Sequence, residues 1–186
     1  MARSATQVLT GKVRLSYLSV FQPKAKGNGK PKYSACILIP KSDKTTVAAI
    51  KAACEAARVA SAALFNGKVP DKLKLPLHDG DGEMPNGGDY NAECKGMWVL
   101  NASSVNQPGL VDRSVRPIVD PKELYSGCWA RVDLNFFAYN TDGNRGIGAG
   151  LNNIQKVADD ERLGGASQKP EDVFSSFEDE DDGLGL

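Results

Sequence analysis

The chain predicts a mainly β fold with one inserted helix, and three observations point to it. Residues 127–140 alternate apolar and polar side chains over the whole stretch. Only one segment, 44–65, repeats its apolar residues at helical spacing. The remaining apolar runs are short and are separated by connections rich in glycine and proline.

The first strand is read over 11–20, where Val13, Leu15 and Tyr17 share one face and Lys12, Arg14 and Ser16 the other. Residues 22–31, Gln-Pro-Lys-Ala-Lys-Gly-Asn-Gly-Lys-Pro, form a basic turn-rich loop. A second strand, 32–40, is stopped by Pro40, and the pair reads as a hairpin. In the helix, Val47, Ile50, Cys54, Ala57, Ser61 and Leu64 recur every three or four residues, and Ser42 or Asp43 caps its start. Residues 66–96 contain three prolines and six glycines and read as loop. A third strand occupies 97–104, and 105–126 read as a second long loop. The fourth strand, 127–140, has a wholly apolar face: Cys128, Ala130, Val132, Leu134, Phe136 and Ala138. Thr141-Asp-Gly-Asn144 is a hairpin turn, and 145–157 return as the last strand. Five strands and one helix suggest a five-stranded OB-type barrel with an inserted helix and long loops.

The formal net charge is zero, but it is the sum of two opposed regions. Residues 1–158 hold 21 basic and 13 acidic side chains, a balance of +8, and residues 159–186 hold 2 and 10, a balance of −8. The expected organisation is therefore a basic nucleic-acid-binding domain over 1–158 and a disordered linker and acidic tail over 159–186. Basic charge is densest at the start: ten Lys and Arg between residues 1 and 51 face one acid, Asp43, with Tyr17, Phe21 and Tyr33 interleaved. The polar N-terminus and the lack of a long apolar run suggest a cytoplasmic protein with no membrane partner. Cys36, Cys54, Cys94 and Cys128 are far apart in sequence and His78 is the single histidine, so buried free thiols are favoured over a zinc site. No metal or other cofactor is expected.

Single strands are held by combining a basic groove with aromatic stacking platforms. Trp129, Phe137 and Tyr139 stand beside Arg131 on the outer face of the 127–140 strand. The competing interpretation is that the 66–96 loop or a second subunit covers them. With the basic residues, the candidate contact set is Arg14, Lys24, Lys26, Lys32, Tyr33, Lys41, Arg113, Trp129, Arg131, Phe137 and Tyr139. Asp79, Asp81 and Glu83 raise the alternative of a metal-dependent nuclease, but a glycine-spaced acidic loop is more often a solvated turn, and no phosphate loop, HExxH or GxSxG motif is present. A scaffold that binds an acidic protein is the other alternative. A binding module rather than an enzyme is the expectation.

Several segments in order resemble a phage family of single-stranded-DNA-binding proteins with an OB fold. They are Gly11-Lys-Val-Arg-Leu-Ser-Tyr17, Phe21-Gln-Pro-Lys24, residues 32–43, Leu77-His-Asp-Gly-Asp81, Asn101-Ala-Ser-Ser104, Gly127-Cys-Trp-Ala-Arg131, Asn135-Phe-Phe-Ala-Tyr139 and Gly148-Ala-Gly-Leu-Asn-Asn153. The resemblance implies sequence-independent binding of single-stranded DNA, with duplex bound weakly if at all, in phage replication, recombination or repair within the infected cell. Other replicative single-strand binders carry acidic C-terminal tails that recruit partners, so the tail here is expected to recruit replication or recombination proteins, with Phe174, Phe177, Asp181 and Asp182 as the expected contacts. A homodimer stays open.

Overall fold

The computed structural model describes residues 2–164. The tail positions Phe174, Phe177, Asp181 and Asp182 lie outside the described residues.

The elements are β1 (Gln7–Leu9), β2 (Val13–Lys24), β3 (Lys32–Pro40), α1 (Lys44–Val59), β4 (Leu77–Asp79), β5 (Met97–Ser104), β6 (Gly109–Val111), β7 (Trp129–Thr141) and β8 (Asn144–Ala158). Five of the strands close a ring: β7 pairs with β2, β2 with β3, β3 with β5, β5 with β8, and β8 with β7. All of these pairings are antiparallel except β5–β8, which is parallel through Ser103 and Gly150. The fold is thus mainly β and OB-type, as the alternation of residues 127–140 and the short apolar runs required. The ring-facing side chains of the longest pair are buried: Val132, Leu134, Ile147, Leu151 and Ile154 meet Val13, Leu15 and Ile37 in one core. Each such side chain contributes roughly 1.5–3 kcal/mol when fully removed from water.

The helix ends earlier than its periodicity suggests. α1 stops at Val59, and Ala62–Phe65 continue as a separate 3₁₀ turn with Leu64 exposed. At the other end, Asp43 is the cap: its carboxylate accepts from the Thr46 amide at 3.0 Å and from the Thr46 hydroxyl at 2.6 Å. The loops read over 66–96 and 105–126 contain short pairing strands as well. β4 adds to β5, and β6 runs parallel to β8. They are too short for a pattern to show. The β7–β8 turn takes the twist its residues favour, with Asp142 at φ 48° and Gly143 at φ 80°, both left-handed.

One reading of the first strand is corrected. Tyr17 does not share the buried face of Val13 and Leu15: it is 67% exposed. Its backbone sits at φ 44°, and the β2–β3 register slips between Ser16 and Ser19. A bulge adds one residue to one strand and reverses the facing of the residues beyond it. Buried Val20 and half-buried Leu18 take over the inner side, and Tyr17 is turned out.

Candidate nucleic-acid interface

The outer surface of β2, β3 and β5 forms an open cleft of about 810 Å³. Its rim is the loop between β2 and β3, whose glycines and prolines keep it clear of the sheet and give it no apolar residue to bury. Lys24, Lys26, Lys30 and Lys32 line this rim; among the described residues no carboxylate lines the cleft. The floor is built from alternate residues of β3 and β5, including Ser34, Asn101 and Ser103, with Ser34 paired to Ser103 and Cys36 to Asn101. These hydroxyls and amides donate to or accept from any polar edge. Burial pushes the Cys36 thiol up to about 12, so it is an uncharged, inert part of the floor. Tyr17 stands on the β2 wall, and its Oη accepts a hydrogen bond from Asn91 Nδ2 at 2.7 Å.

Three of the residues proposed from sequence, Lys24, Lys26 and Lys32, come together here. Tyr33 has the strand parity of buried Ala35 and Ile37, so it lies on the opposite side of β3 from Lys32 and Ser34. Lys41 is held away from the cleft. Its Nζ bridges Asp79 at 2.5 Å and Asp81 at 2.7 Å, and these bonds raise the lysine pKa and lower both carboxyl values. The two acids that a nuclease would use as metal ligands are thus neutralised by an ammonium. Among the described residues no three His, Cys, Asp or Glu side chains are grouped to hold a metal ion.

The outer face of β7 is organised differently. Phe137 is 47% exposed, yet its ring lies over Gly148 of β8, where an added Cβ would come within 2.8 Å of it. Tyr139 covers Gly146 and Asn135 covers Gly150 in the same way. A row of cross-strand pairs results in which β7 supplies the bulk that the β8 glycines lack. Arg131 donates from Nε to the carbonyl of Thr10 at 3.3 Å, and Arg113 sits in the loop after β6, its carbonyl accepting from Gln155. Neither lines the lysine cleft.

Arg14 and Trp129 are engaged by the chain that leaves β8. Trp129 Nε1 donates to Asp160 Oδ2 at 2.7 Å, with Lys12 Nζ 5.3 Å from the indole centroid. Arg14 donates from Nε to Gly127 O and from Nη2 to Glu161 O. Tyr125 Oη donates to Asp159 at 2.8 Å, and the Tyr125 ring carries Arg162 at 4.4 Å. Gly127 permits the close approach: a Cβ there would stand 2.2 Å from the Glu161 carbonyl. Among the described residues the indole is therefore engaged by Asp160 of the chain leaving β8, with Lys12 and Arg14 at its ring. The Leu163 amide donates to Ser126 O at 2.9 Å, and Ser126 lines the lysine cleft. The strap thus ends at the mouth of the cleft.

Lys30, Tyr17 and the polar floor are absent from the candidate set. Lys30 stands in the basic loop and was available. Tyr17 is interleaved with the basic run, but strict alternation places it inside and keeps it out of the set. The floor residues are serine and asparagine, types that mark nothing until a sheet sets them side by side.

The profile of the family described as Enterobacter phage Enc34, ssDNA-binding protein, matches residues 6–184. A protein designated p50 of Acyrthosiphon pisum secondary endosymbiont phage 1 is 28% identical over 180 residues, covering 91% of this chain and 94% of that protein. The single-stranded DNA-binding protein from bacteriophage Enc34, solved in complex with ssDNA, superposes with a TM-score of 0.71 at 27% identity, covering 87% of this chain and 91% of that one. The gp2.5 single-stranded DNA binding protein of bacteriophage T7 shares the fold, with a TM-score of 0.59 at 16% identity over 87% of this chain and 95% of that one. The matched length and the closed five-strand ring lead to one conclusion: this chain belongs to the family of phage ssDNA-binding proteins represented by that of Enterobacter phage Enc34.

Proposed function

We infer that this chain binds single-stranded DNA without regard to sequence, and that the cleft over β2, β3 and β5 is where the strand lies. The observation that carries the reading is the cleft itself: four lysines and, among the described residues, no carboxylate on an OB-type sheet face, in a chain of this family. Lysines neutralise phosphates and carry no base code. The serine and asparagine floor offers polar contacts that any base edge can use. Such a protein coats and protects single strands in phage replication, recombination or repair, in the cytoplasm of the infected cell. It acts by binding, without bond cleavage, and duplex is bound weakly if at all.

Residues 1–158 would then be the binding domain and 159–186 the acidic tail. The seven acids beyond the strap, tethered beside the cleft, compete with phosphates for the lysines, and the tail's phenylalanines, Phe174 and Phe177, with Asp181 and Asp182, serve replication or recombination proteins. The strap over 159–163 supports this reading, because it anchors the segment that leads to those acids next to Ser126 of the cleft.

Fluorescence anisotropy with labelled homopolymeric and mixed oligonucleotides tests the function. Micromolar or tighter binding at low salt is expected, with similar affinity for each sequence and a steep fall as salt rises. A flat salt response, or a strong preference for one sequence, contradicts it.

A further inference from the structure

Tyr17 carries three features that no structural need explains. Its backbone is left-handed at φ 44°, a conformation rare for a bulky residue and usually retained only where the surroundings impose it. Its side chain is 67% exposed, so little burial compensates. Its hydroxyl is tethered by Asn91 from the loop before β5, which fixes the direction of a ring that would otherwise swing freely. The bulge between Ser16 and Ser19 brings that ring onto the wall of the lysine cleft. The other aromatics on the outer sheet faces are in use: Phe137 and Tyr139 cover glycines, and Trp129 is bonded to Asp160. Tyr17 is an oriented aromatic face left open beside the lysines.

We propose that Tyr17 is the residue by which the cleft selects single strands over duplex, by stacking one unpaired base on its ring while Lys24, Lys26, Lys30 and Lys32 hold the flanking phosphates. The proposal rests on the function inferred above and adds the source of strand selectivity to it. The lysines meet phosphates, which both forms of DNA present. A duplex has its bases stacked inside and offers none to a ring on a cleft wall. A single strand turns a base onto the ring at little cost, and every base has a π-face, so selectivity comes without sequence preference.

The test measures affinity for a single-stranded oligonucleotide and for a hairpin duplex, each across a salt series. It compares the full chain with Tyr17→Ala, Tyr17→Leu, Tyr17→Phe and a variant with Lys24, Lys26, Lys30 and Lys32 all changed to Ala. Thermal melts establish that each variant is folded; Tyr17→Leu keeps bulk on the wall if Tyr17→Ala does not fold. The expected result is a loss of about tenfold or more in single-strand affinity for Tyr17→Ala and Tyr17→Leu. Their salt slope and duplex affinity stay unchanged, and Tyr17→Phe keeps most of the affinity. An equal loss for both forms of DNA overturns the proposal, since Tyr17 would then merely shape the cleft. Unchanged single-strand affinity in the Tyr17 variants, with weakened binding in the lysine variant, also overturns it and leaves the cleft as the binding site. Unchanged affinity in the lysine variant overturns the cleft itself, and the proposal with it.

Discussion

The indole Nε1 of Trp129, on the outer face of β7, donates to Asp160 Oδ2 at 2.7 Å. This contact joins the first acids of the tail segment to the folded body. With Arg14 bonded to Glu161 O and Tyr125 to Asp159, it straps residues 159–163 against the body, and Leu163 is bonded to Ser126 beside the lysine cleft. Trp129 therefore anchors the strap, and its expected contribution to DNA binding is indirect. Truncation after Gly164 keeps the strap and removes most of the acids. It is expected to tighten single-strand binding by roughly tenfold at low salt, with the gain fading near physiological ionic strength as screening shortens. Anisotropy with and without the tail measures this; equal affinities at low salt would show that the tail is no competitor.

The strap is expected to open in acid. Trp129 and the Glu161 amide hold the Asp160 carboxyl below its ordinary range, and Lys156 and Tyr125 do the same for Asp159. A carboxyl lowered in the folded state favours the strapped form above the ordinary aspartate value of about 3.9, and that preference is lost as pH falls through the lowered value. The strap is thus intact at neutral pH. The Trp129 indole N–H resonance, tracked downward from neutral pH, is expected to move only in the acid range, and Asp160→Ala is expected to abolish that movement. A transition near pH 6 would contradict the assignment.

Phe137 over Gly148 is a folding pair. Phe137→Ala removes the ring that covers a bare stretch of β8 and is expected to lower stability by about 0.5–1 kcal/mol, the range of a good cross-strand pair. Single-strand affinity is expected to stay within about twofold, a change of less than about 0.5 kcal/mol. Denaturant melts and binding on the same sample separate the two. Full stability with a tenfold loss of affinity would move the binding site to the β7 face.

Asp43 is expected to matter for stability alone. Asp43→Ala leaves the Thr46 amide without its capping partner and is expected to cost about 1 kcal/mol. Asp43→Asn retains an acceptor and is expected to recover much of that. Chemical denaturation of the two variants gives the comparison.

The fold was readable wherever one physical rule acted over a long stretch. Residues 127–140 alternate because one side of β7 faces the core, and Thr141-Asp-Gly-Asn144 turns because Asp142 and Gly143 accept left-handed backbone. The basic loop was readable from composition, and two of its predicted lysines, Lys24 and Lys26, line the cleft with Lys32 of the second strand. Relations between distant residues could not be read. Tyr17 faces out because of a single bulge, which alternation cannot register. Trp129, Phe137 and Tyr139 looked free because their partners, Asp160, Gly148 and Gly146, are separate in sequence or have no side chain. Lys41 looked free because Asp79 and Asp81 reach it from a loop some forty positions away.

The central claim is that DNA lies in the lysine cleft, and amide chemical-shift mapping tests it most directly. The labelled full chain is titrated with a short single-stranded oligonucleotide at moderate salt. The largest shifts are expected to cluster at Tyr17, at residues 24–36 and at Asn101–Ser103, while Phe137, Tyr139 and their β8 partners hold still. Shifts concentrated on Phe137, Tyr139 and Gly146–Gly150, with a silent β2–β3 loop, would contradict it.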